Sequence, residues 1–216
     1  MNIFLHICCA PCSVACIQQL REEGHAPTGF WYNPNIHPFL EYKARRDTLR
    51  QYAQDIDLPL VELDDYGLRE FTAAVAANSD ARCSWCYARR FEETAKTAAE
   101  RGFSAFTSTL LISPYQNREL MCEIGEKVGK KYGVDFLPYD FRPRFRDGQE
   151  QARALGLYMQ KYCGCIYSEE DRFSNRRKKQ LHKLHKQQAA PAAAERLAVG
   201  DDRHGTARRE DLPRPY

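Results

Sequence analysis

The chain has 216 residues, 43% of them apolar, a formal net charge of +3 and nine cysteines. That length and apolar content support one domain with its own core, so a small disulfide-stapled scaffold is excluded, and no apolar run nears the roughly 20 residues of a membrane span. No basic segment followed by a long apolar stretch marks a secretory signal, so the thiols predict a reducing cytoplasm, while the mild charge alone says little about partners.

Ile3 to Ile7 reads as a buried strand, and Pro11 sits in the first turn of a helix that runs from about Ser13 to Glu23. Between them lies Cys8-Cys9-Ala10-Pro11-Cys12, three thiols on one strand-to-helix turn. Ligands bind at such turns in open α/β sheets, and a helix amino terminus favours thiolate over thiol. Pro27 to Tyr32 reads as a second strand, ending in the stiff loop Asn33-Pro34-Asn35-Ile36-His37-Pro38. Phe39 to Ile56 is helix-patterned, Pro59 to Leu63 a third strand and Asp65 to Ala77 another helix. Cys83-Ser84-Trp85-Cys86 opens a helix that reaches about Arg101. Ala105 to Leu111 reads as the fourth strand, Asn117 to Tyr132 as a helix and Val134 to Leu137 as the fifth strand.

Beyond that, Tyr139 to Arg146 is a basic-aromatic loop and Gln149 to Met159 a helix that delivers the chain to Cys163-Gly164-Cys165. Glu169 to Gln188 is helix-patterned and basic on its second half, and residues 189–216 lack apolar periodicity, as expected of a disordered tail. The organisation predicted is therefore one α/β domain over residues 1–188, a Rossmann-like parallel sheet with flanking helices and a C-terminal helical segment, followed by the tail.

Cys8, Cys9, Cys83 and Cys86 make a natural set of four thiolate ligands, because a Cys-x-x-Cys step at a helix start aims two sulfurs at one centre. Zinc and iron–sulfur clusters both use four thiolates, and a redox dithiol at Cys83 and Cys86 is the rival. A bulky cluster accommodates the adjacent pair more easily than a tetrahedral zinc does. Cys163 and Cys165 can close a small strained disulfide if Gly164 lets the backbone fold, which suits reversible two-electron exchange; further metal ligation is the alternative. Cys12 can join either group, whereas Cys16 and Cys122 read as inert core thiols. His37, held between prolines, is a candidate proton donor, as are Tyr115 and Asp140. Thr107, Ser108, Thr109 and Ser113 place hydroxyls near a strand's carboxyl end. Arg142, Arg144 and Arg146 beside Phe141 and Phe145, and the cations between Arg172 and Lys186, suit phosphates and stacked bases.

These residues, together with Ser108 to Tyr115 and Tyr158 to Ser168, closely resemble the QueH-type epoxyqueuosine reductases, and the likeness runs in order over about residues 1 to 175. It implies a HUP-like fold and an iron–sulfur oxidoreductase that reduces the epoxide of epoxyqueuosine to queuosine at the wobble position of tRNA, the last step of queuosine biosynthesis. By the same likeness Cys8, Cys9, Cys83 and Cys86 look like 4Fe-4S ligands and Cys163 and Cys165 like a redox-active disulfide pair. From the residues themselves, His37 stands as a candidate catalytic acid, and Cys12 leaves room for a second metal ion near the cluster. The implied partners are a tRNA carrying epoxyqueuosine and an electron donor protein or reductant, with no membrane. The first turn lacks the Ser-Gly-Gly-x-Asp-Ser loop of the related ATP-pyrophosphatases, so adenylation is not expected. The competing reading is a zinc-stabilised tRNA-binding module without redox catalysis.

Overall fold

The computed structural model describes residues 1–174, and the basic stretch beyond Ser174 and the tail expected from residue 189 lie outside the described residues. Five strands, β1 (Asn2–His6), β2 (Ala26–Trp31), β3 (Leu60–Glu62), β4 (Ala105–Ser108) and β5 (Asp135–Phe136), form one parallel sheet in the order β3-β2-β1-β4-β5. The helices are α1 (Ala10–Glu22), α2 (Phe39–Asp55), α3 (Leu68–Val75), α4 (Arg82–Glu100), α5 (Arg118–Tyr132), α6 (Phe145–Ala154) and α7 (Ile166–Phe173). Right-handed crossovers run outward from β1 to β3 and then, reversing, from β4 to β5, which puts α1 and α2 on one face and α4 and α5 on the other. Helix α6 returns to pack along α1, and α4 lies along α5.

The centre of the sheet is apolar on both faces, as a doubly covered parallel sheet requires. Phe4 stacks on Phe30 at 5.0 Å, Phe106 meets Phe136 at 5.2 Å, and Phe91 of α4 closes on Phe136 at 5.5 Å. Helix α5 comes close enough to β5 that a Cβ on Gly125 would stand 2.7 Å from the Phe136 ring. Burial of the Phe4, Phe30, Phe91 and Phe106 side chains, all at most 1% exposed, contributes on the order of 2–3 kcal/mol each.

The fourth strand is shorter than its sequence suggests. It stops at Ser108 because the Ser108 hydroxyl accepts from the Leu110 amide (3.1 Å) and turns Thr109–Ile112 into a 3-10 segment. The basic-aromatic loop is likewise more ordered than expected: Arg142–Arg144 is a 3-10 turn that leads directly into α6, which begins at Phe145 rather than Gln149.

Candidate active site

Strand order reverses between β1 and β4, so the crevice beyond their carboxyl ends is where such a fold takes its ligand. The two strand ends are stitched together there. His6 contacts Ser108 Oγ through Nδ1 (2.8 Å) and donates Nε2–H to the Tyr32 carbonyl (3.2 Å), a pattern that fixes the neutral tautomer with Nδ1 as acceptor. Burial pushes this imidazole down to about 3, so it remains uncharged at neutral pH. The Cys8 amide donates to Thr109 Oγ1 (3.2 Å), and Asn33 Nδ2 donates to the Ile7 carbonyl (2.9 Å).

Above this seam opens a cavity of about 820 Å³. Six of the nine cysteines line it: Cys8 and Cys12 from the first turn, Cys83 and Cys86 from the start of α4, and Cys163 and Cys165 from the segment before α7. Cys83 and Cys163 are exposed, the other four buried, and all nine cysteines are free thiols. Cys9, fully buried, stands behind Cys8 with their sulfurs 3.9 Å apart. The sulfurs of Cys8, Cys9 and Cys12 all lie within 4.8 Å of one another, a group that can hold a metal ion. Cys12 is thus brought into the first-turn group, and the second pair, Cys83 and Cys86, lines the same cavity. Cys16 is buried with its thiol on the Cys12 carbonyl (3.3 Å), and Cys122 on α5 lies outside the lining.

The three first-turn thiols are driven in opposite directions. Hydrogen bonds from Cys12 and Cys9, helped by Thr109, hold Cys8 well below the usual thiol range. Cys9 is held up chiefly by burial, and Cys12 chiefly by its hydrogen bond to Cys8. Burial pushes Cys86 up to about 12 against the pull of Arg90, and although Cys83 and Cys163 are exposed as residues, desolvation around their sulfurs raises both. Arg90, 2% exposed, donates Nη2 to Cys86 Sγ (2.8 Å) and Nε to the Cys86 carbonyl (3.0 Å).

The Cys163–Cys165 segment is held from behind. Arg45, 1% exposed and paired with Glu41 (2.7 Å), donates to the carbonyls of Tyr162 (2.9 Å) and Cys163 (2.8 Å). The Gly164 carbonyl accepts from the His37 amide (2.8 Å), and Tyr162 returns its hydroxyl to the His37 carbonyl (2.6 Å). Gly164 has φ +154°, a conformation open to glycine and strained for other residues, and a Cβ there would meet Ile36 at 3.2 Å. Gln116 Nε2 reaches Cys163 Sγ at 3.2 Å, and Gln160 Nε2 reaches Cys12 Sγ at 3.4 Å.

Other expected residues fall differently. His37 does not line the cavity: its ring is fully buried against Tyr66 and Phe71, makes no hydrogen bond of good geometry, and is driven by burial down to about 4. Asp140 is committed to Arg142 (2.6 Å) outside the cavity, whereas Tyr115 lines it. Of the hydroxyl cluster, Thr109 and Ser113 line the cavity, while Thr107 serves the Leu137 carbonyl (2.7 Å). Phe141 is fully buried and stacked on Tyr139, so it offers no face to a base, and Arg144 is paired with Glu22 (2.7 Å). Arg45, Arg90, Gln116 and Gln160 were not singled out by sequence. Only Arg90 left a readable trace, one helical turn after Cys86.

A parallel α/β sheet with a thiol-lined crevice at its switch point defines a Rossmann-like protein whose first-turn cysteines can hold a metal ion. A solved structure described as a predicted subunit of a tRNA methyltransferase from Methanocaldococcus jannaschii shares the fold at TM-score 0.50 and 11% identity, over 70% of this chain and 76% of that one. The family model "Epoxyqueuosine reductase QueH" matches residues 3–171, and the chain belongs to that family. The Epoxyqueuosine reductase QueH of Dehalococcoides mccartyi is 39% identical over 80% of this chain and 94% of its own length, and that of Thermotoga maritima 34% identical over 77% and 90%.

Proposed function

We propose that this protein is an epoxyqueuosine reductase acting on the modified wobble base of tRNA. The observation that carries the reading is the convergence of six cysteines from three distant segments on one cavity at the switch point. The reaction takes two electrons and two protons: both epoxide C–O bonds break, a carbon–carbon double bond forms, and the oxygen leaves as water. Cys8, Cys9, Cys83 and Cys86 are the proposed ligands of a 4Fe-4S cluster, and Cys12 is the residue available to a second metal ion. When bound, such a cluster supplies single electrons at low potential. The donor set suits it, being all thiol, with a buried cation at Cys86 to balance negative charge.

Cys163 and Cys165 are proposed as the redox pair. Closing two thiols to a disulfide releases two electrons and two protons, which matches the demand of the epoxide, and an external donor reopens the bridge. Tyr115 is the proposed acid for the leaving oxygen, since it alone of the three proton-donor candidates lines the cavity. His37 serves through its main chain, which fixes Gly164. Nine free thiols suit a reducing cytoplasm, and no helix among the described residues is long and apolar enough to cross a membrane.

Anaerobic iron and sulfide analysis tests the assignment. Cys83→Ala should lose most of the iron, whereas Cys16→Ala and Cys165→Ser should keep it. Cys165→Ser should nevertheless lose turnover, and Tyr115→Phe should slow it by about 10²-fold or more. Full iron in Cys83→Ala would refute the ligand set, and loss of iron in Cys165→Ser would merge the redox pair into the metal site.

A further inference from the structure

We infer that Arg90 sets the reduction potential of the centre at Cys86, as a positioning residue that supplies its counter-charge; this rests on the reading that Cys86 ligates a redox centre. The buried arginines differ in how they are balanced. Arg45 meets Glu41, and Arg82, largely buried, meets Asp171. Arg90 has no carboxylate within 4 Å among the described residues, and its donors go to Cys86 Sγ and the Cys86 carbonyl. Arg90 is 2% exposed, and the side-chain atom it is hydrogen-bonded to is the Cys86 sulfur. A Cys86 thiolate, the form in which it would ligate a bound centre, is the anion placed to balance this buried cation.

Reduction of a thiolate-held centre adds one electron and one negative charge. A fixed cation and a hydrogen bond to a ligand sulfur both favour that more negative state, so Arg90 raises the potential. Arginine suits the position better than lysine. Its planar fork holds the main-chain carbonyl with one nitrogen and the sulfur with another, which a single ammonium cannot do in one fixed geometry.

The test is the midpoint potential, followed by electron paramagnetic resonance, of anaerobically reconstituted protein with iron counted in each sample. Arg90→Met should keep iron and shift the reduced-to-oxidised ratio at fixed potential at least tenfold towards oxidised, about 59 mV lower for a one-electron couple. Arg90→Lys should fall between that variant and the parent. If Arg90→Met holds no iron while Arg90→Lys does, the midpoint of Arg90→Lys decides: a value below the parent supports the inference, and one within twofold of the parent overturns it. A midpoint within twofold of the parent in Arg90→Met overturns it, as does equal iron loss in both variants with secondary structure intact. A parent protein that takes up no iron overturns the centre and this inference together, so the two failures are told apart by the parent sample.

Discussion

His6 and His37 are both fully buried, yet they solve burial in different ways. His6 spends both ring nitrogens on the seam between β1, β2 and β4, whereas His37 is wedged among aromatic rings. In each the folded imidazole binds its proton less readily than the unfolded one, near 3 and 4 against an ordinary 6.5. The unfolded chain therefore binds more protons below 6.5, and the stability these residues give is complete above that pH and lost as it falls towards 4. Between pH 6 and 5 each histidine should contribute a slope approaching about 1.4 kcal/mol per pH unit in the unfolding free energy. Urea unfolding of His37→Phe should show that slope reduced by one histidine's share, and an unchanged slope would refute a neutral buried His37.

At the scale of elements, the segment Tyr162–Cys165 has little regular structure and depends on what α2 and the Asn33–Pro38 loop donate to it. Arg45→Ala removes two of those donors and leaves Glu41 buried without its cation, which should cost about 3–5 kcal/mol in chemical denaturation. Alkylation of Cys163 and Cys165 should speed up in the same variant; stability and alkylation both at parental values would show that the clamp does not act. This dependence marks the boundary of what the sequence made legible. The strands, the helices and the three cysteine groups could be read because apolar period, proline, glycine and thiol spacing are local signals. The reach of Arg45 to residues 162 and 163 comes from contacts made only after the chain has folded, whereas the early end of β4 at Ser108 and the start of α6 at Phe145 rest on local capping and turn geometry that apolar period does not report. His37 is a case of the same kind as Arg45: the sequence shows a histidine held between prolines, and the aromatic shell of Tyr66 and Phe71 that buries its ring comes from later in the chain.

At the scale of the whole molecule, a tRNA ligand implies phosphate contacts, and affinity should fall steeply and log-linearly with salt. Two of the arginines expected to make them, Arg142 and Arg144, are engaged with Asp140 and Glu22. The cations Arg176, Arg177, Lys178 and Lys179 are the remaining cluster in the sequence. Neutralising all four should flatten the salt dependence and weaken binding, while deletion of residues 189–216 should matter much less. Binding unchanged by the quadruple substitution at moderate salt would place the tRNA contacts elsewhere.

The cavity draws its thiols from near residue 10, near residue 85 and near residue 164, so almost the whole domain separates its first sulfur from its last. During synthesis the amino-terminal turn leaves the ribosome long before its partners exist, so Cys8, Cys9 and Cys12, which the fold groups within 4.8 Å, precede the other thiols of the cavity. The proposed cluster, drawing two of its four ligands from α4, would be loaded only after α4 has docked against the first turn, which makes its maturation a step that follows folding.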